Sequence, residues 1–424
     1  LREVEGIGKK RIEAIRAIWK ESAARRNLQM HLQSIGVSPA YFVRIYGKYG
    51  DSAAEKIREN PYALATDVPG IGFTLADRIA ANTGIHKDDP KRLVSGVTYT
   101  LSQLRQMGHV CVPRDFFLSK CAEILEIDTA SAERALSSAV GLLLAAIRKA
   151  PDGTWMVYEP GLLRCEEEFP VRLAHLASVS RHAGRALLRY PVLPDAVFSE
   201  EQLKAVKTAG ESPLSIITGG PGVGKTTVVG EIVRRAKLAG LAFALTAPTG
   251  RAAKRMSETT GMPASTIHRL LKWDPVKHGF VHGRMSPLKL DLLIVDETSM
   301  LDLLLATALF RAVAPGTTVV LVGDSDQLPS VGPGNVLNDI IASGFLPVTR
   351  LTRIFRQGAG SGIVLAAHEV NSGRMPPLFR NRRNAAVTDF YWIEKDDPED
   401  AASIMERMVC ERIPARFGLD PLRD

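Results

Sequence analysis

The sequence predicts a mixed α/β protein in which a parallel β-sheet is preceded by helical units. Three observations carry that prediction. From residue 195 onward, short apolar runs alternate with helical patterns. Leu214–Thr218, Ala242–Thr246, Leu292–Val295 and Thr318–Val322 are mostly apolar, as strands buried on both faces require. Strand–helix alternation of this kind builds a doubly wound sheet whose ligands collect at the carboxyl ends of its strands. Before residue 90 the pattern is helical and is broken twice by glycine–apolar–glycine turns. With 424 residues, 45% hydrophobic and 24% charged, the chain has ordinary globular composition and room for several domains.

Residues 1–90 form the first stretch. Gly6-Ile7-Gly8 is followed by a helical run, Lys9–Lys20, and Pro69-Gly70-Ile71-Gly72 by a helix from Thr74. This is the helix-hairpin-helix pattern. Gly6, Gly8, Gly70 and Gly72 let the turn pass close to a phosphate, and the next helix offers free N–H groups at its positive end. Such a grip touches the backbone and carries no base-sequence information. Many helix pairs turn on glycine without a ligand, but two copies beside Lys9, Lys10, Arg11 and Arg78 favour nucleic acid.

Residues 91–194 form a different small unit. A helix over Lys91–Met107 leads into an apolar strand at His109–Val112. Helices over Arg114–Leu125 and Thr129–Lys149 follow, and a Pro-Asp-Gly turn at 151–153 opens a strand at Thr154–Tyr158. That is a winged-helix order, suited equally to DNA contact and to a spacer. Tyr190–Pro194, with two prolines, reads as a linker. Residues 195–345 carry the sheet, with a small β-hairpin insertion near 272–290, and 346–424 start a further unit.

Charge and cysteines narrow the class. The 54 basic and 46 acidic residues leave a net charge of +8, which suits an anionic partner without requiring one. The four cysteines include no C-x-x-C pair and read as reduced thiols of a cytoplasmic protein. His278 and His282 flank glycines in a turn, which argues against a metal site. No run approaches the length of a membrane span.

Gly219-Gly220-Pro221-Gly222-Val223-Gly224-Lys225-Thr226-Thr227 follows a predicted strand and opens a helix, matching G-x-x-x-x-G-K-[ST] from Gly219 to Thr226. The glycine-rich backbone wraps the phosphates of ATP, Lys225 reaches their outer oxygens, and the Thr226 hydroxyl takes Mg²⁺. Leu292–Val295 then delivers Asp296 and Glu297 at a strand end, Asp296 for Mg²⁺ and Glu297 to polarise the attacking water. After Thr318–Val322, Gln327 is placed to sense the terminal phosphate. Arg356, in Leu351–Gln357, suits the spreading of transition-state charge. Gln202 has two readings: Phe198-Ser199-Glu200-Glu201-Gln202 is a capping box, and its amide also suits an adenine edge.

In this order the motifs resemble the superfamily 1 DNA helicases of the RecD type, particularly the long form with an N-terminal hairpin-bearing region. The matching segments are Gly219–Thr227, Thr246–Ala253, Ser265–Leu271, Asp296–Met300, Gly323–Gly334 and Leu351–Gln357. The resemblance implies a RecA-like P-loop NTPase lobe over 195–345 and the start of a second such lobe, incomplete, over 346–424. It implies an ATP-dependent, 5′-to-3′ motor on single-stranded DNA and at single-strand/duplex junctions, acting as a monomer in repair or recombination. It gives Gln202 to adenine and Thr249, Arg251 and His268 to the DNA strand, and it makes the 272–290 insertion a strand-separating pin. Without later motifs, the chain reads as a piece of a longer helicase whose isolated form hydrolyses ATP poorly. Two alternatives stay open: an ATP-regulated DNA-binding module, and a translocase that strips proteins without unwinding. A relaxase motor would want a His-rich metal site and a nucleophilic tyrosine in an N-terminal nuclease domain, and neither is visible.

Overall fold

The structure, a computed structural model, describes residues 25–30, 32–191, 198–276, 279–353, 362–376, 389–390 and 392–420. Gly6, Gly8 and Arg356 lie outside the described residues.

The first described helices pack around Leu32, Val37, Phe42, Ile45, Ile57, Leu64, Ile71 and Ile79, all buried. Helices Ala63–Asp67 and Phe73–Asn82 flank the second glycine turn. There Gly70 adopts φ +86° and Ile71 N–H donates to the Val68 carbonyl. Arg92 ties this region to the next: its buried guanidinium is bidentate to Asp77, at 2.8 and 3.0 Å. Burial of that pair is offset by geometry in which both carboxylate oxygens are satisfied.

The second unit has helices Pro90–Gln106, Arg114–Leu125 and Thr129–Gly141 over an antiparallel sheet of β1 (Cys111–Pro113), β2 (Ala146–Lys149) and β3 (Trp155–Tyr158), in the order β1-β3-β2. Phe117, Leu125, Leu136 and Val157 sit in its core. The helix expected to run to Lys149 stops at Gly141. Leu143 turns with a left-handed φ of +59°, and Ala146–Lys149 pairs with Trp155–Tyr158. Gly141, a poor helix former, stands at the stop, and the Leu- and Ala-rich residues after it become a strand through their partner across the hairpin and not by local preference.

The large sheet has six parallel strands: β4 (Leu214–Thr218), β5 (Phe243–Ala247), β6 (Ala264–Thr266), β9 (Leu292–Val295), β10 (Thr318–Gly323) and β11 (Val348–Arg350). Between β6 and β9 lies a two-stranded hairpin of β7 (Trp273–Asp274) and β8 (Gly279–Phe280). The order is β11-β4-β10-β9-β5-β6. Every residue of β4, β9 and β10 is buried, with one core on each face of the sheet.

Two expected boundaries move. Strand β11 pairs with β4, Val348 opposite Ile216, so this sheet continues past residue 345. Helix Pro160–Ala177 belongs to the lobe and not to the winged unit, because Cys165, Phe169, Leu173 and Leu176 are buried in the core beneath the sheet. Phe169 meets Phe310 edge-to-face at 5.4 Å, and Arg172 donates to the carbonyls of Phe310 and Val313. The two prolines that suggested a linker fall after this helix, so the sequence placed the division too late.

Candidate nucleotide and nucleic-acid site

The carboxyl ends of the parallel strands all open on one edge, where Gly219–Thr227, Thr249, Arg251, His268, Asp296, Glu297 and Gln327 stand. After β4 the chain passes through the glycine loop into helix Lys225–Leu238. Gly224 caps that helix in a left-handed conformation, φ +83°. A Cβ at Gly224 would lie 2.3 Å from Gln202 Nε2, so both the torsion and the close approach demand glycine. Gly219, Gly220, Pro221, Gly222 and Val223 form the loop, Val223 buried beneath it. Thr226 and Thr227 stand in the first turn of the helix.

Lys225 Nζ folds back onto the loop, donating to the carbonyls of Gly219 and Gly220 (3.0 Å to the latter). Burial lowers its pKa, opposed by the charges of Asp324, Glu297 and Asp296. The ammonium group is thus the positive charge that this end of the sheet offers to phosphate oxygens, within electrostatic reach of three carboxylates.

Asp296 N–H donates to the Thr246 carbonyl, and Asp296 Oδ1 accepts from Glu297 N–H at 2.9 Å. Glu297 takes a left-handed φ of +51°. A non-glycine residue held so is a strained turn of the kind found at working sites. Burial raises both carboxyl pKa values, and for Glu297 the neighbouring Asp296 charge adds to the rise. Two half-buried carboxylates that resist ionisation suit a divalent cation, which would supply the missing charge.

Gln202 is buried and doubly engaged. It completes the capping box with Ser199, and its Nε2 donates to the Val223 carbonyl at 3.3 Å. The cap and a brace under the glycine loop are thus its described contacts. Gln327 Oε1 accepts from Ser299 Oγ at 3.4 Å, which ties the loop after β10 to the turn after Glu297. Thr249 caps helix Gly250–Thr260 through Ala252 N–H. Arg251 and His268 are exposed at the ends following β5 and β6. The His268 ring lies 5.6 Å from Phe280 on β8, and Phe280 lies 5.0 Å from Trp273.

Sequence reasoning missed two members of this constellation. Asp324 was quoted within a motif but given no role, yet it is buried and is the strongest carboxylate influence on Lys225. Arg255, exposed on helix Gly250–Thr260, acts electrostatically on Lys225, Asp296 and Glu297 together. A cation one helical turn after Arg251 was the available signal.

In the helical region, Gly70 and Gly72 sit at the hairpin tip, exposed. Arg44 reaches over from helix Pro39–Tyr49 and donates to the Pro69 carbonyl at 3.0 Å. Among the described residues there is no cluster of three or more His, Cys, Asp or Glu able to hold a metal ion, and no helix long and apolar enough to cross a membrane.

Comparison with known proteins bears on these features directly. Two family models match, one described as the ATP-dependent RecD2 DNA helicase HHH domain over residues 21–111 and one as an AAA domain over 202–333. The chain is 34% identical over 420 residues to the ATP-dependent RecD2 DNA helicase of Deinococcus radiodurans, covering 96% of this chain and 57% of that protein. The chain is thus similar to RecD-type helicases over nearly its whole length. The RecBCD enzyme subunit RecD of Mycolicibacterium smegmatis is 40% identical over 217 residues, 45% of this chain and 39% of the subunit. The same subunit from Haemophilus influenzae is 39% identical over 173 residues, 34% of this chain and 27% of the subunit. The chain spans little more than half the length of the Deinococcus relative.

Proposed function

We propose that this protein is an ATP-dependent 5′-to-3′ DNA translocase and helicase on single-stranded DNA, coupling ATP hydrolysis to strand movement and duplex opening. The observation that carries the reading is one sheet edge with two ends of different chemistry. Lys225, Asp296, Glu297 and Asp324 stand after β4, β9 and β10, while Thr249, Arg251 and His268 stand after β5 and β6. A nucleotide at the first group and a DNA strand at the second would share one rigid frame. The polarity rests on the resemblance of the motifs to RecD-type helicases.

Lys225 binds the outer phosphate oxygens in place of the Gly219 and Gly220 carbonyls that it now touches. Thr226 and Asp296 would hold Mg²⁺, which supplies positive charge against the phosphates. Glu297, beside Asp296 and raised in pKa, accepts a proton from the attacking water. Gln327 and Arg356 are assigned to the terminal phosphate. Gln202 contributes to the adenine end while bracing the loop at Val223. Gly70 and Gly72, with Gly6 and Gly8 as a second copy, grip DNA backbone ahead of the motor. The partner is single-stranded DNA and its junction with duplex, the working state a monomer, and the compartment the cytoplasm.

The test is DNA-stimulated ATPase and unwinding by the full-length protein. Lys225→Ala should lower turnover by on the order of a hundredfold or more, the scale seen when a preorganised charge is removed from a reaction centre. Unchanged turnover sinks the nucleotide site. Duplex with a 5′ tail should open and duplex with a 3′ tail should not; the reverse overturns the polarity. Stimulated hydrolysis with neither duplex opened would favour a protein-stripping translocase.

A further inference from the structure

Glu201 sits next to Gln202 in the first turn of helix Glu200–Glu211. A carboxylate there is already favoured by the helix's own N–H groups, yet its side chain reaches a segment far away in sequence. Its two oxygens accept from Thr352 N–H at 2.8 Å, Thr352 Oγ1 at 2.5 Å and Arg353 N–H at 3.3 Å. Those bonds hold the carboxyl below its ordinary range.

The segment it holds is the continuation of β11. Leu351 N–H donates to the Thr218 carbonyl at 2.8 Å, immediately before the glycine loop. A Cβ at Gly219 would lie 2.4 Å from the Leu351 carbonyl oxygen. Leu351 and Thr352 therefore form a wall against the glycine loop, and they line, with Gly219, Gly220, Asp324 and Gln327, a cleft of about 900 Å³. Two adjacent residues of one helix turn thus grip both sides of the cleft. Gln202 holds the glycine loop through Val223, and Glu201 holds the facing strand through Thr352.

We propose that Glu201 is a positioning residue for the nucleotide cleft, its carboxylate fixing Leu351–Arg353 against the glycine loop so that the phosphate end of the site keeps its reactive geometry. The inference rests on the ATPase reading and deepens it. Because misplacement of a reacting group by about 1 Å can cost a hundredfold in rate, the effect falls on turnover and not on nucleotide binding.

In the full-length protein, Glu201→Ala lowers DNA-stimulated kcat by about tenfold or more and shifts KM for ATP by less than about threefold. Its Tm stays with that of the parent, since these contacts are exposed. Glu201→Gln, which keeps an acceptor for Thr352 N–H, recovers part of the rate. Thr352→Ala gives a smaller loss, and adding it to Glu201→Ala costs nothing further, because both act through one contact. Unchanged kcat in Glu201→Ala overturns the proposal. So does a kcat loss that tracks a fall in Tm and is not relieved by Glu201→Gln. The two failures are separable: a parent protein without DNA-stimulated hydrolysis removes the ATPase reading, whereas an active parent matched by Glu201→Ala removes only the role of Glu201.

Discussion

Burial at Glu297 sets two properties of that residue against each other. Its pKa is held above the ordinary 4.5, first by burial and then by the charge of Asp296. A carboxyl with a raised native pKa binds its proton more tightly in the folded than in the unfolded chain. Its contribution to stability is therefore greatest at low pH and declines as pH climbs from about 4.5 through the raised native value. Asp296 acts in the same direction from its own ordinary value of 3.8. Lys225, lowered by burial, penalises the folded state below its own native value, and that penalty lifts as pH rises from there towards the ordinary 10.5. Glu297→Gln should thus raise the Tm of the nucleotide-free protein at pH 7 to 8, with the gain shrinking as pH approaches 4, while hydrolysis falls by about 10²–10⁴-fold. A thermal melt series across pH checks the first part. A lower Tm at pH 8 than in the parent would mean that Glu297 makes a favourable contact and bears no desolvation cost.

At the level of elements, the hairpin between Ala63–Asp67 and Phe73–Asn82 separates two glycines that the sequence treats alike. Gly70 has φ +86°, and a Cβ there would meet Arg44 Nη1 at 2.5 Å; Gly72 has φ −95° and open space around it. Gly70→Ala should cost about 1–3 kcal/mol in local backbone strain, whereas Gly72→Ala, at the helix N-cap, should cost no more than about 1 kcal/mol. Chemical denaturation of the two variants decides it, and equal losses would show that the turn is not strained. Strands divide in the same manner between legible and hidden. Strands β4, β9 and β10 could be read because central strands are apolar without a break. Strands β6 and β11 could not: each has three residues at a sheet edge, with Ser265, Thr266 and Arg350 among them. The site follows that rule too. Lys225, Asp296 and Glu297 declare themselves through local motifs. Asp324, Arg255 and Glu201 gain meaning only when strands far apart in sequence are laid side by side.

The placement of helix Pro160–Ala177 decides where the lobe built on the six-stranded sheet begins. Its apolar face supplies Cys165, Phe169, Leu173 and Leu176 to the core under β4, β9 and β10, and Arg311 pairs with Glu168 across the same contact. The following 3-10 turn, Ala183–Arg189, adds Leu187 to the core on the other face. Nearby, buried His182 Nδ1 is 2.9 Å from Thr318 Oγ1 at the start of β10. A lobe cut at the proline-rich segment 190–194 would lose all of these and leave Phe310 and Leu309 in water. A fragment starting at Glu159 should therefore melt cooperatively, and one starting at Phe198 should aggregate or unfold without a sharp transition. Within the intact chain, Phe169→Ala should cost about 3–5 kcal/mol, the range for deleting a buried aromatic ring, because the edge-to-face contact with Phe310 leaves a cavity that the flanking helices cannot close. Calorimetry on the two fragments and the point variant tests one idea three ways. If the Phe198 fragment melts as sharply and as high as the Glu159 fragment, the helix is an ornament on the lobe and the sheet's second face has another cover.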